Sequence, residues 1–254
     1  MKKSLFACLA GLLLSGQVLA TGGDVALQPA NNDLSSLASL QNGAKIFVNY
    51  CLSCHSAEFM RFSRLGQDLK LTDEQLKANM MFAAEKVGES LSVSMDKTDA
   101  KRWFGVTPPD LSVIARARGT DWLYTYMLSF YRDDTRPWGV NNLVFKDVGM
   151  PHVLWELQGG VQEPIYVTEK DAAGHEHQVL EKLELPRGNR SEAEYQQLLT
   201  DYRRNVRDLV NFLEYLGEPA KLERRSLGAK VIAFLFIFLF VAYLLKKEYW
   251  RDVH

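Results

Sequence analysis

Two cysteines and a histidine at one spacing carry the most specific chemistry this chain offers. The segment Tyr50-Cys51-Leu52-Ser53-Cys54-His55 contains Cys-x-x-Cys-His. Two thiols separated by two residues stand about one helical turn apart. Each can therefore add across one vinyl group on the same edge of a porphyrin, with the adjacent imidazole beneath the iron. This is the attachment pattern of a c-type haem, and a neutral imidazole is a good iron ligand. A buried thiol pair, a disulfide or half of a zinc site is the competing reading, although no second Cys pair is present to complete a zinc site.

A haem held by one His needs a sixth ligand, and the choice separates an electron carrier from a ligand-binding or catalytic haem. A methionine thioether is soft, favours Fe(II) and raises the reduction potential. Met60, Met80, Met81, Met95, Met127 and Met150 are the candidates beyond the first residue. Met150 is preferred because Gly149 and Pro151 set it in rigid irregular backbone, far enough from His55 for a loop to cover the opposite face. His152 is the rival, and a bis-His haem would have a lower potential. Met60 is too close to His55 to reach round the ring, and Met127 reads as packing within its own helix. The haem propionates call for a bidentate guanidinium, for which Arg116 and Arg118 both qualify.

Stepping outward along the chain, Leu37, Leu40, Ala44, Phe47 and Tyr50 recur at helical spacing and predict an amphipathic helix that delivers the motif. Gly43 inside it either marks a close helix contact or weakens the helix by on the order of 1 kcal/mol. Thr72-Asp73-Glu74-Gln75 opens a helical pattern that runs toward Val87. Phe104 to Leu111, with Pro108 and Pro109, predicts a rigid loop, after which Asp110 or Ser112 caps a helix. Residues Asp121 to Tyr131 read as one aromatic-rich helix that lines a core or walls a flat cofactor, and Arg132 to Val148 reads as loop.

Ile165 to Leu185 predicts a two-stranded hairpin turning at Asp171-Ala172-Ala173-Gly174. His175 and His177 flank its tip and read as a solvated turn ahead of a metal site. Ser191-Glu192-Ala193-Glu194 is a capping box for a helix through Leu216, stopped by Gly217 and Pro219.

Both ends of the chain carry membrane signals. Lys2 and Lys3, an apolar run from Leu5 to Leu14 and Val18-Leu19-Ala20 predict a secretory leader over residues 1–20, which takes Cys8 with it. Near the other end, Val231 to Leu245 is continuously apolar, and Tyr243, Tyr249 and Trp250 suit an interfacial belt. One transmembrane anchor is expected over residues 223–254, behind an exported domain of residues 21–222. The chain has 30 Lys and Arg against 31 Asp and Glu, and losing Lys2 and Lys3 leaves 28 against 31. That balance argues against nucleic acid as a partner.

Several segments together resemble the cytochrome c1 family. They are Cys-Leu-Ser-Cys-His at 51–55, Pro-Pro-Asp-Leu-Ser at 108–112, Ala-Arg-Ala-Arg-Gly at 115–119, Gly-Met-Pro at 149–151, Asp-Leu-Val-Asn-Phe-Leu-Glu-Tyr-Leu-Gly-Glu-Pro at 208–219 and a single C-terminal anchor. The approach to the double proline, Phe104-Gly105-Val106-Thr107, departs from the Asn-Gly-Ala-type sequence often found in that family.

The resemblance implies a mainly α, cytochrome c-like haem domain with a small β-hairpin and one C-terminal transmembrane helix. It implies one covalently attached haem c on Cys51 and Cys54, His55 and Met150 as axial ligands, Arg118 at a propionate and Pro109 in the loop lining the haem. It further implies a subunit that is not an enzyme on its own. Its role would be to pass single electrons from a Rieske iron–sulfur protein to a soluble or tethered c-type cytochrome, within a dimeric complex that also holds cytochrome b. The location implied is a bacterial inner membrane, with the haem domain periplasmic and the C-terminus cytoplasmic. A tethered monohaem carrier outside that complex, and a haem enzyme or gas sensor with an open sixth position, are the alternatives.

Overall fold

The computed structural model describes residues 25–93, 95–170 and 175–252. The expected leader with Cys8 and the hairpin turn at 171–174 lie outside them. The polar arm after the leader is laid along the domain: the Gln28 amide donates to Thr125 Oγ1 at 2.8 Å and the Ala30 amide to Asp121 Oδ1 at 2.8 Å.

Ser36 caps α1 (Leu37–Ile46), its hydroxyl accepting from the Ser39 amide. The helix then widens into a π-helical turn over Phe47–Cys51. Such turns are rare and concentrate at functional sites, and this one ends on the first cysteine of the motif. Strand β1 (Ala57–Arg61) pairs with the two-residue β2 (Ser90–Leu91), enclosing α2 (Phe62–Leu69) and α3 (Asp73–Asn79). The capping box expected at Thr72 is present, with Thr72 Oγ1 accepting from the Gln75 amide and Gln75 Oε1 from the Thr72 amide. Its helix stops at Asn79, short of Val87. Helix α4 (Lys97–Phe104) ends where Gly105 turns left-handed at φ 76°, and α5 (Ile114–Arg118) follows the double proline.

The aromatic segment differs from the single helix expected. Helix α6 (Thr120–Leu128) ends early, and Phe130–Arg132 forms β3, paired with β4 (Val140–Asn142) inside the supposed loop. The cause is Asn142. Its side-chain amide donates to the Tyr126 carbonyl at 2.7 Å, taking the acceptor that residue 130 would use to continue the helix. The short α7 (Trp155–Gln158) leads into the expected hairpin, β5 (Glu163–Lys170) with β6 (Glu176–Glu184). The small β component thus comprises three two-stranded pairs among the described residues, set in a mainly helical chain.

Helix α8 (Glu192–Gly217) starts in the Ser191/Glu194 capping box and buries Tyr202, Val206, Leu209, Val210, Phe212 and Leu213. It crosses α1 at Gly43, where an added Cβ would stand 2.0 Å from the Asp208 carbonyl oxygen and 2.7 Å from Phe212 Cβ. Gly43 therefore marks a close helix contact. Around the crossing, Ser39 Oγ donates to Asp208 Oδ1 at 2.6 Å and Asn42 Nδ2 to Asp208 Oδ2 at 2.8 Å, while the Phe47 and Phe212 rings pack 5.5 Å apart. Tyr202 OH donates to the Met127 carbonyl at 2.7 Å and ties α8 to α6.

Gly43→Ala sets two effects against each other. Helix propensity favours Ala by roughly 1 kcal/mol, whereas overpacking against a backbone carbonyl costs about 3 kcal/mol. The variant is expected to lose about 2 kcal/mol net, read as a lower denaturant midpoint. An unchanged or higher midpoint would mean that the crossing opens freely.

Helix α9 (Lys221–Tyr249) runs 29 residues, about 43 Å at 1.5 Å per residue. It extends well beyond the apolar run at its centre and exceeds a hydrocarbon core of about 30 Å. Its most apolar stretch has mean hydropathy 2.4 and none of it is buried.

Candidate functional site

A cavity of about 330 Å³ opens beside the π turn. All six residues that the family resemblance assigns to the haem site line it: Cys51, Cys54, His55, Pro109, Arg118 and Met150. They come from four separate stretches of chain, and the rest of the wall is almost wholly apolar, including Trp122, Leu123, Tyr126, Phe145 and Leu213. An apolar cleft with a few convergent polar groups is the form a flat cofactor requires.

Cys51 is buried, Cys54 partly so, and both thiols are free. Burial, with Cys54 adding to it, pushes the Cys51 thiol up to about 12, so it stays protonated and is not a poised thiolate nucleophile. The turn that follows is tight: the Cys54 and His55 amides both donate to the Cys51 carbonyl, at 3.0 and 2.8 Å. His55 Nδ1 lies 2.7 Å from the Pro109 carbonyl oxygen. A carbonyl only accepts, so Nδ1 carries the proton and Nε2 presents a lone pair. Burial holds the imidazole below its ordinary pKa, against the opposing pull of the Pro109 carbonyl and Asp110. The ring is thereby kept neutral, as metal ligation needs.

Pro-Pro-Asp-Leu-Ser works as a clamp. Asp110 Oδ2 accepts from the Glu58 amide at 2.9 Å and Ser112 Oγ from the Phe59 amide at 3.1 Å, while the Leu111 amide donates to the Ser56 carbonyl at 2.8 Å. Asp110 and Ser112 thus grip β1 in place of the expected cap on α5, whose N-terminus has no side-chain cap. The grip holds the Pro109 carbonyl against His55. The divergent approach nonetheless contributes to the wall, through Phe104 and Val106.

The two arginines separate. The stem of Arg116 packs at the end of α8, its Cγ 3.2 Å from where a Cβ on Gly217 would stand. Arg118 lines the cavity with its guanidinium 5.0 Å from the Trp122 ring centroid and 6.0 Å from that of Phe145, a geometry that suits cation–π attraction. A carboxylate at the cavity edge would complete its fork.

Met150 sits in the loop between Gly149 and Pro151, and its Sδ accepts from Tyr126 OH at 3.4 Å. Burial pushes the Tyr126 phenol well above its ordinary value, so it remains a donor. Met127 also reaches the cavity wall. His152 is not among the lining residues; its ring is buried, stacked on Phe130 and bonded to Gln158.

Tyr126 and Trp122 were visible in the sequence as aromatic density. Their i, i+4 spacing on one helix was the available signal that they share one wall. Among the described residues no group of three or more His, Cys, Asp or Glu side chains could hold a metal ion, at the β5–β6 hairpin or elsewhere.

The free thiols, the neutral imidazole and the apolar slot all suit a covalently held haem. Comparison with known proteins agrees. The family model described as the Cytochrome C1 family matches residues 33–173 and 191–253. A cytochrome c1 of Allochromatium vinosum is 47% identical over 96% of this chain and 96% of its own. A protein of Nitrosomonas europaea named ammonia monooxygenase gamma subunit is 46% identical over 98% of each chain. A cytochrome b/c1 of Bradyrhizobium diazoefficiens is 26% identical, over 85% of this chain and 33% of that longer protein.

Proposed function

The chain belongs to the cytochrome c1 family, and from that membership we propose that it passes single electrons from a Rieske iron–sulfur protein to a soluble or tethered c-type cytochrome, inside a dimeric complex with cytochrome b. It is a c-type cytochrome with one covalently attached haem c and a long apolar C-terminal helix. The observation that carries the proposal is the convergence of Cys51, Cys54, His55 and Met150 on one apolar cavity.

In this reading Cys51 and Cys54 would hold the haem through thioethers, His55 Nε2 and Met150 Sδ would ligate its iron, and Arg118 would meet a propionate. Haem supplies the one-electron iron couple. The chain's own part is to keep that couple fast and oxidising. The Pro109 carbonyl fixes the His55 tautomer, the Met150 thioether favours the reduced state, and two rigidly held ligands need little rearrangement on electron transfer. The name of the Bradyrhizobium relative joins b and c1 in one protein, which supports cytochrome b as a neighbour.

Purification from native membranes under mild detergent is expected to bring down a b-type cytochrome and a Rieske protein. A carrier recovered without either would be a tethered cytochrome outside such a complex, and recovery with an ammonia-oxidising enzyme would follow the name of the Nitrosomonas relative.

Orientation belongs to the same proposal. Lys221, Arg224, Arg225 and Lys230 precede the apolar run and Lys246, Lys247 and Arg251 follow it, so the positive-inside rule does not decide. Export by a leader cleaved after Ala20 would put residues 21–222 in the periplasm of a bacterial inner membrane and the end of the 223–254 anchor in the cytoplasm. No residue of α9 is buried, which supports an anchor packed in lipid. Truncation after Pro219 with the leader retained is therefore expected to release a soluble, red periplasmic domain with its haem spectrum unchanged. Recovery only as unfolded apoprotein would make α9 part of the domain's core.

A further inference from the structure

The loop that carries Met150 is anchored two residues later by a side chain that faces away from the cavity. His152 is 5% exposed. Its ring lies flat on Phe130, centroids 4.9 Å apart and planes within 4°, and its Nε2 is 2.5 Å from Gln158 Oε1, so the imidazole donates there. Both partners are themselves immobile. Phe130 is 1% exposed in β3, with its carbonyl accepting from Gln162 Nε2 at 3.0 Å, and Gln158 is 3% exposed in α7. Tyr126, which donates to Met150 Sδ, packs edge-on against the same Phe130 ring at 5.1 Å. Phe130 therefore braces the methionine from two directions, through Tyr126 at its sulfur and through His152 at its backbone.

We propose that His152 is a positioning residue for Met150: clamped between the Phe130 face and the Gln158 carbonyl, it fixes the 149–153 loop so that the thioether stays turned into the cavity. The proposal rests on the reading of Met150 as the sixth ligand. A loop freed at its anchor spends more time with the sulfur withdrawn. An external ligand such as carbon monoxide binds only that open state, so its apparent affinity scales with the open fraction.

The test measures carbon monoxide binding to the ferrous full-length protein, its reduction potential and its thermal midpoint, in the parent and four variants. His152→Ala and Gln158→Leu are each expected to keep covalent haem, to lower the potential and to tighten carbon monoxide binding about tenfold. Leu76→Ala empties a fully buried site in α3, away from this loop. It is expected to lower the thermal midpoint and leave carbon monoxide affinity unchanged.

Met150→Leu sets the fully open limit. If it opens the iron while His152→Ala and Gln158→Leu stay within twofold of the parent, the positioning role is wrong and the ligand assignment stands. If Leu76→Ala tightens binding as much as His152→Ala, the effect is general loosening and the proposal fails. If Met150→Leu changes nothing while His152→Ala opens the iron, His152 is itself the ligand and both readings fall. Should His152→Ala not fold, Gln158→Leu alone decides, because it removes the imidazole's acceptor with little change of volume.

Discussion

A chain carrying Cys51→Ala together with Cys54→Ala is expected to contain no covalent haem and to yield little folded protein. The only other cysteine, Cys8, lies in the expected leader, so no third thiol is left outside that leader to form a thioether. Covalency matters here because the site is otherwise a cleft of about 330 Å³ with a mostly apolar lining. Leaving that volume unfilled, at about 24 cal/mol per Å³, corresponds to roughly 8 kcal/mol, an upper figure because the cleft opens to solvent. A typical domain has only about 5–15 kcal/mol in total, so cofactor loss and unfolding are expected together. Haem staining of denaturing gels and pyridine haemochrome spectra measure the first, and soluble yield the second. A normal amount of covalent haem in the double variant would remove the attachment assignment altogether.

Met150→Leu is expected to keep the haem attached, to let the ferrous iron bind carbon monoxide and to lower the potential on the order of 100 mV, within the roughly 0.8 V span that axial ligands set. A hydrocarbon cannot ligate, and loss of the thioether removes the preference for the reduced state. Packing changes little, because Met and Leu exchange for less than about 1.5 kcal/mol in a core. Tyr126 OH loses its acceptor, however, and a buried unsatisfied hydroxyl costs about 1–3 kcal/mol. A lower thermal midpoint should therefore accompany the spectral change. An unchanged potential and no carbon monoxide binding would transfer the ligand role to another side chain, with Met127 on the same cavity wall the first to test.

Much of the architecture was legible because its signals are local. Capping boxes at Thr72 and Ser191 announce their helices within four residues, the β5–β6 strands show their alternation, and the apolar run of α9 needs only a count. Gly43 was legible as a question and not as an answer, since the Asp208 carbonyl that forbids a Cβ lies 165 residues away in the chain. The end of α6 was not legible at all. Aromatic spacing continues in helical register through Phe130, and what stops the helix is a side-chain amide from Asn142 on the far side of an intervening loop.

The same division runs through the site. Cys-x-x-Cys-His states its chemistry by itself, because two thioethers and an axial imidazole on one porphyrin require neighbouring residues, and neighbours in the chain are neighbours in space whatever the fold. A face of one short helix also brings Trp122 and Tyr126 into line by periodicity alone. Only the tertiary structure decided that the Pro109 carbonyl sets the His55 tautomer, that Arg118 and not Arg116 enters the cavity, and that His152 turns away toward Phe130 and Gln158 while Met150 meets Tyr126. Each of those choices joins a residue to a partner in another element or places it relative to one. Hydrogen-bond direction and ring contact act over a few ångströms, so they are settled only once the crossing of α1 and α8 and the clamp of residues 108–112 on β1 have brought the partners within reach.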